Sequence, residues 1–277
     1  MFVASRSLLA LCDHRISNPV SESLRVPDTF PTKPGQTIYC HPTALKNFVA
    51  NYLPEIEFPF ILVSGDSDMT VPSDCQTEAN TILANSLLIC WYSQNCVLPS
   101  EKLKQLPIGL DFHTLAQSRH IWGSKQTLQQ QENTLLYIRN SAKERLPLCY
   151  SNFHFLMTTR YAVDRRLAMT MIPRDLVFYE PRKVPRDQSW NTMIRYKYVI
   201  SPHGNGLDCH RTWEALALGC IPIVKTSPLD SMFEGLPVLI VKDWNEVTKE
   251  LLDSYQPRGT LEKITLSYWK EVLNRYK

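Results

Sequence analysis

The chain has 277 residues, 44% of them hydrophobic and 21% charged, with a formal net charge of +3. That length holds one large domain or two of ordinary size, and the composition excludes a disordered tail, a collagen-like fibre and a low-complexity scaffold. The slight positive charge is not gathered into a stripe: Arg165-Arg166 and Arg182-Lys183 are short and interleaved with acids, so nucleic acid is not an expected partner.

Residues 1–40 read as irregular, broken by Pro19, Pro27, Pro31 and Pro34. Apolar runs at 58–66 and 87–95 predict two buried strands, with a short helix between them at 75–85. LPIGLDFHTL at 106–115 reads as a short strand with a polar tip. The Gln-, Lys- and Arg-rich stretch 116–145 reads as a solvated helix joining two domains, with a helix packed into one domain as the alternative. From 146 onward the pattern alternates. Strands are expected at 147–156, LVFYEP, 197–204, 220–225 and 236–243. Helices are expected at 161–172, 189–196, 209–219 and 244–255, and a further C-terminal helix at 256–277. Strict alternation of strand and helix predicts an α/β fold with doubly wound parallel sheets. The domains expected are 1–115 and 146–255.

Eight cysteines form no Cys-x-x-Cys pair and several lie in apolar runs, as reduced buried thiols do. The N-terminal SLLALC run is too short for a membrane span and makes a poor signal peptide, and no Asn-x-Ser/Thr acceptor occurs. A cytoplasmic protein without a membrane anchor is the expectation.

Chemistry concentrates in YKYVISPHGNGLDCHRTWEALALGCIPIVK at 196–225, which holds three of only nine glycines. A strand opening into Ser201, His203, Gly204, Asn205 and Gly206, then a helix from about Asp208 to Leu218, is how parallel α/β sheets present backbone N–H groups and a helix dipole to phosphate. A cation in the first helical turn is unfavourable, so Arg211 points to an anionic ligand. Glu214, on the same side of the helix, suits a ribose diol. Arg160 and Arg165, after the 147–156 strand, are further candidates for the anion.

SPHGNGLDCHRTWEALALGCIPIV, followed by LPVLIVKDWNEVTKELL, resembles the C-terminal half of exostosin-like glycosyltransferases, inverting enzymes with two Rossmann-like domains facing a cleft (GT-B architecture). The likeness is specific over about 196–252 and weaker at 150–165, PIGLDFH and SGDSD. It implies that His203 to Gly206 and Arg211 meet the diphosphate of a UDP-sugar and Glu214 its ribose, with Tyr179 to Arg182 near the base. Small viral and microbial members look nearest, which implies transfer of xylose from UDP-xylose to fucose of a capsid N-glycan. The missing leader implies a cytosolic enzyme or one made without the Golgi stem typical of exostosin relatives, a departure that puts heparan or cell-wall acceptors in doubt.

Inverting transfer needs a base for the acceptor hydroxyl and positive charge for the departing diphosphate. Asp68 is the expected base, with Asp66 positioning it or binding acceptor hydroxyls; Asp111 and His113 form the reserve pair. Asp66-Ser67-Asp68 also spells a metal-binding Asp-x-Asp, but the anion site at 201–211 already offers positive charge, so transfer without a metal is expected. A non-catalytic nucleotide- or glycan-binding module is the competing reading. No Gly-x-Ser-x-Gly turn supports a serine hydrolase.

Overall fold

The computed structural model describes residues 1–142, 144–153 and 158–276. It is an α/β protein with two parallel sheets. In chain order the elements begin with α1 (Ser5–Leu11), β1 (Gln36–Tyr39), α2 (Leu45–Asn47), β2 (Phe60–Ser64), α3 (Gln76–Ala84), β3 (Leu88–Ser93) and β4 (Leu103–Gln105). Then come α4 (His113–Gln117), α5 (Leu128–Asn140), β5 (Leu146–Ser151), α6 (Ala162–Met171), β6 (Val177–Tyr179), α7 (Arg186–Met193), β7 (Tyr196–Ile200) and α8 (His210–Ala217). The chain continues with β8 (Ile221–Lys225), β9 (Leu239–Val241), α9 (Lys249–Ser254) and α10 (Leu266–Asn274). Two compact units divide them: one holds Val3–Ile108, Gly206–Asp208 and 265–276, the other Met1–Phe2, Gly109–Asn205 and Cys209–Ile264.

The first unit carries the sheet β1-β2-β3-β4. Successive residues of a strand face opposite sides, and both sides are buried here. Ile38, Phe60, Leu62 and Trp91 join one apolar core with Leu45, Phe48 and Ile82. Tyr39, Ile61, Val63 and Cys90 join a second with Leu8 of α1 and Trp269, Val272 and Leu273 of α10. Burial on both faces explains why β2 reads as an unbroken apolar run. The N-terminal forty residues are more ordered than their prolines suggest. SLLAL lies within α1, with Cys12 as its C-cap; the start of the helix is tied by Ala4 N–H donating to Ser7 Oγ at 2.8 Å, and QTIY is the edge strand β1. No strand spans 106–115; β4 precedes it, and Asp111 accepts from the Thr114 N–H at 3.0 Å at the entry to α4.

The second unit carries β6-β5-β7-β8-β9. Its core joins Cys149, Tyr198, Ile200, Ile223 and Val241 to Ala168 of α6 and Leu252 of α9. The region 116–145 divides: residues to Gln117 complete α4, and Thr127 caps α5 by accepting from Gln130 N–H at 3.1 Å. α5 buries Gln131, Glu132, Leu135 and Ile138 within this unit and packs against α7. The strand expected at 147–156 is β5 at 146–151, and part of that reading, 154–156, lies outside the described residues. α8 starts at His210, not at Asp208, which belongs to the first unit. All eight cysteines are free, seven of them buried. No helix among the described residues is long and apolar enough to cross a membrane.

Candidate functional site

The loop after β7 is held by side chains from α6 and α8. Ser201 Oγ lies 2.8 Å from Thr212 Oγ1, and Arg211 Nη1 donates to Ser201 Oγ at 3.3 Å and to the Pro202 carbonyl at 3.2 Å. Arg165 Nε donates to the His203 carbonyl at 2.9 Å. Asp164 accepts from the His203 N–H at 2.9 Å and from Trp244 Nε1 at 2.7 Å, tying loop, helix and the segment after β9 together. The two guanidiniums share one aromatic ring, with Arg211 Cζ 5.5 Å and Arg165 Cζ 6.0 Å from the Phe153 ring centre. Burial, and behind it the neighbouring Arg211 charge, lowers Arg165 to about 10, so Arg165 stays cationic at neutral pH. Among the described residues Arg211 has no ion-pair partner. Two like charges converge on a loop at the carboxyl end of a parallel strand, where such sheets bind ligands.

Ser201 and Gly204 are buried, His203 half-buried and Asn205 exposed. Arg160 is exposed in the turn before α6, its Cζ 5.6 Å from the centre of the Tyr161 ring, which in turn packs edge-on to His203. Tyr179 ends β6 with Arg174 over its ring, while Arg182 is exposed. Gly206 lies in the first unit, where a Cβ would come within 2.7 Å of the Asn95 amide. Asn95 is held from both ends, accepting from the Asp208 N–H at 2.9 Å and donating to the Ser67 carbonyl at 3.3 Å. Its side chain therefore accounts for the glycine directly.

Glu214 sits one turn along α8 from Arg211, but its ion-pair neighbour is Arg186 of α7. Arg186 Nε lies 3.7 Å from Glu214 Oε1 and Nη2 donates to Asp111 Oδ2 at 2.7 Å. Nη1 donates to the Asp111 carbonyl and to Gln131 Oε1 at 2.9 Å. His113 Nδ1 lies 3.2 Å from Asp111 Oδ1, and His210 Nδ1 bonds the Gly109 carbonyl at 2.7 Å. The two carboxyls are driven apart. Burial would raise Asp111, but the charges of His210, Arg186 and His113 outweigh it and hold the group well below the usual carboxylate range. Burial raises Glu214 above its ordinary value; Arg186 and His210 oppose this and Asp111 adds to it. Pairs displaced in opposite directions are what acid–base chemistry uses.

Asp111 and His113, expected in the first domain, thus belong to the second unit beside Glu214. In the first unit Asp66 is buried with a left-handed backbone, φ 56. Its carboxylate accepts from Arg6 Nε at 3.1 Å and Ser21 Oγ at 3.0 Å. Gly65, before it, is required by closeness: a Cβ there would meet the Gln94 amide at 2.5 Å. Asp68 is exposed, with no ion-pair partner among the described residues. No group of three or more His, Cys, Asp or Glu side chains that would hold a metal occurs among the described residues.

Sequence reading passed over Arg186, Gln131, Asp164 and Trp244. Arg186 meets Asp111 and Gln131 across 75 and 55 residues of sequence, a separation at which no local spacing rule operates. Asp164 carried the one available signal, an acid beside the arginine already singled out. Compared with protein-family models and with curated proteins, the chain matches none.

Proposed function

We propose that the chain is an inverting, sugar-nucleotide-dependent glycosyltransferase of the exostosin-like, two-domain GT-B type, acting without a metal. The observation that carries this reading is the convergence of Arg165 and Arg211 on the loop at 201–203, with Arg211 left without a carboxylate partner among the described residues. A pair of cations held together by backbone carbonyls and an aromatic ring is stabilised by an anion that spans both, and a diphosphate does so. The same charges suit the departing nucleoside diphosphate, the role a metal would otherwise take. Glu214, with its proton affinity raised, suits the ribose hydroxyls. Asp68 is the proposed base, because Asp66 and Asp111 already accept from arginines. UDP-xylose as donor and a fucose-bearing N-glycan as acceptor rest on the sequence resemblance alone.

The test is a donor screen that measures UDP or GDP release against a panel of nucleotide sugars, UDP-xylose included, with a fucose-terminated acceptor. One or more donors are expected to turn over in EDTA, and Arg211→Ala is expected to weaken UDP binding at least about tenfold, the worth of a charge-assisted hydrogen bond. Equal UDP affinity in that variant overturns the donor site. The engagement of Asp66 and Asp111 favours a second reading, a module that binds nucleotide sugar without transferring it. UDP binding with no turnover on any donor would establish that reading in place of the first.

A further inference from the structure

A cavity of about 260 Å³ lies within the second unit, walled by the 122–126 loop, α5 and the start of α7. Two indoles, Trp122 and Trp190, line it, with the Arg186 guanidinium 5.4 and 6.0 Å from their ring centres. Trp190 is 2% exposed and its Nε1–H is buried without an acceptor among the described residues. Buried donors are rarely left unmatched, and a hydroxyl oxygen would match this one. Gln126, Asp187 and Gln188 supply further polar groups, the last two exposed at the rim.

We propose that this cavity binds one neutral pyranose ring of a glycan, at a site separate from the loop at 201–211. The charge balance selects against anions. Arg186, the cation in the wall, is already matched by Asp111 and Glu214, while Asp187, which has no ion-pair partner among the described residues, repels phosphate and carboxylate. What remains is aromatic surface for the C–H face of a sugar, an indole donor, two amides and a carboxylate for its hydroxyls. Small-ligand sites pair apolar walls with a few convergent polar groups in this way. The proposal stands whether or not the protein transfers a sugar.

Saturation-transfer NMR on the full chain tests it, using the methyl glycosides of glucose, galactose, fucose and xylose, and a β-linked disaccharide of whichever binds. Saturable transfer is expected to at least one glycoside, with affinity at least about tenfold weaker in Asp187→Ala/Gln188→Ala, a pair of exposed positions. Binding is expected to be unchanged in Arg211→Ala and undisturbed by UDP, and the disaccharide is expected to bind at least as well as its monomer. Four outcomes overturn the proposal: no transfer to any glycoside, which leaves water as the partner of Trp190; equal affinity in the rim variant; loss of binding in Arg211→Ala or on adding UDP, which puts the ring at the loop; and exclusion of the disaccharide, which makes the ligand a free sugar.

Discussion

Arg186 is 7% exposed and makes contact with two carboxylates and an amide. Removing one partner of a buried charge network leaves the others uncompensated, which costs about 3–5 kcal/mol. Arg186→Met is accordingly expected to lose about 3 kcal/mol or more in urea unfolding. Glu214 supplies a prediction with a definite sign. Its proton affinity is raised by folding, so its contribution is fully present below its unfolded pKa and is lost as pH rises through the folded one. Thermal melts of Glu214→Gln should therefore gain on the wild type as pH rises above the ordinary glutamate range. A constant difference across that rise would remove the raised carboxyl. Asp111, held low, behaves oppositely: it stabilises above its unfolded pKa, and Asp111→Asn should flatten the acid limb of the same profile.

The turn between β7 and α8 shows how an element is fixed by side chains remote in sequence. The chain leaves the second unit after Asn205, and Gly206–Asp208 are counted with the first, where Asp208 accepts from the Ile108 N–H at 2.7 Å. Gly206→Ala would press a methyl group onto an Asn95 side chain bonded at both ends. Overpacking of this kind costs about 1–3 kcal/mol, and the cost should shrink when measured in an Asn95→Ala background. An equal cost in both backgrounds would place the requirement in the backbone instead. α8 itself was legible from sequence as the helix expected at 209–219, and its Trp213, Leu216 and Ala217 are fully buried. The burial of Thr212, Ala215 and Glu214 with them was not legible, since amphipathic spacing assigns one face to the core and this helix buries nearly all of its surface.

Each unit builds its own apolar core on its own parallel sheet. In the first, the opposite ends of the chain meet, with α1 and α10 covering one face. Trp269, 7% exposed against Val3, Leu8 and Ile61, should cost about 3–5 kcal/mol when replaced by alanine. Urea unfolding of Trp269→Ala measures this, and a loss below about 1 kcal/mol would show that α10 is a dispensable cover.

The sequence by itself determined the α/β class, the parallel alternation from β5 to α9, the buried thiols and the glycine-containing turn between β7 and α8. These follow from composition, apolar period and turn residues, which act over a few neighbours. Only the tertiary structure decided that α5 is buried against α7, that Asp111 belongs with Glu214 through Arg186, and that Asn95 is the reason for Gly206. Those are encounters between side chains tens of residues apart. Burial and charge there are set by what the fold brings close, and no local pattern encodes it.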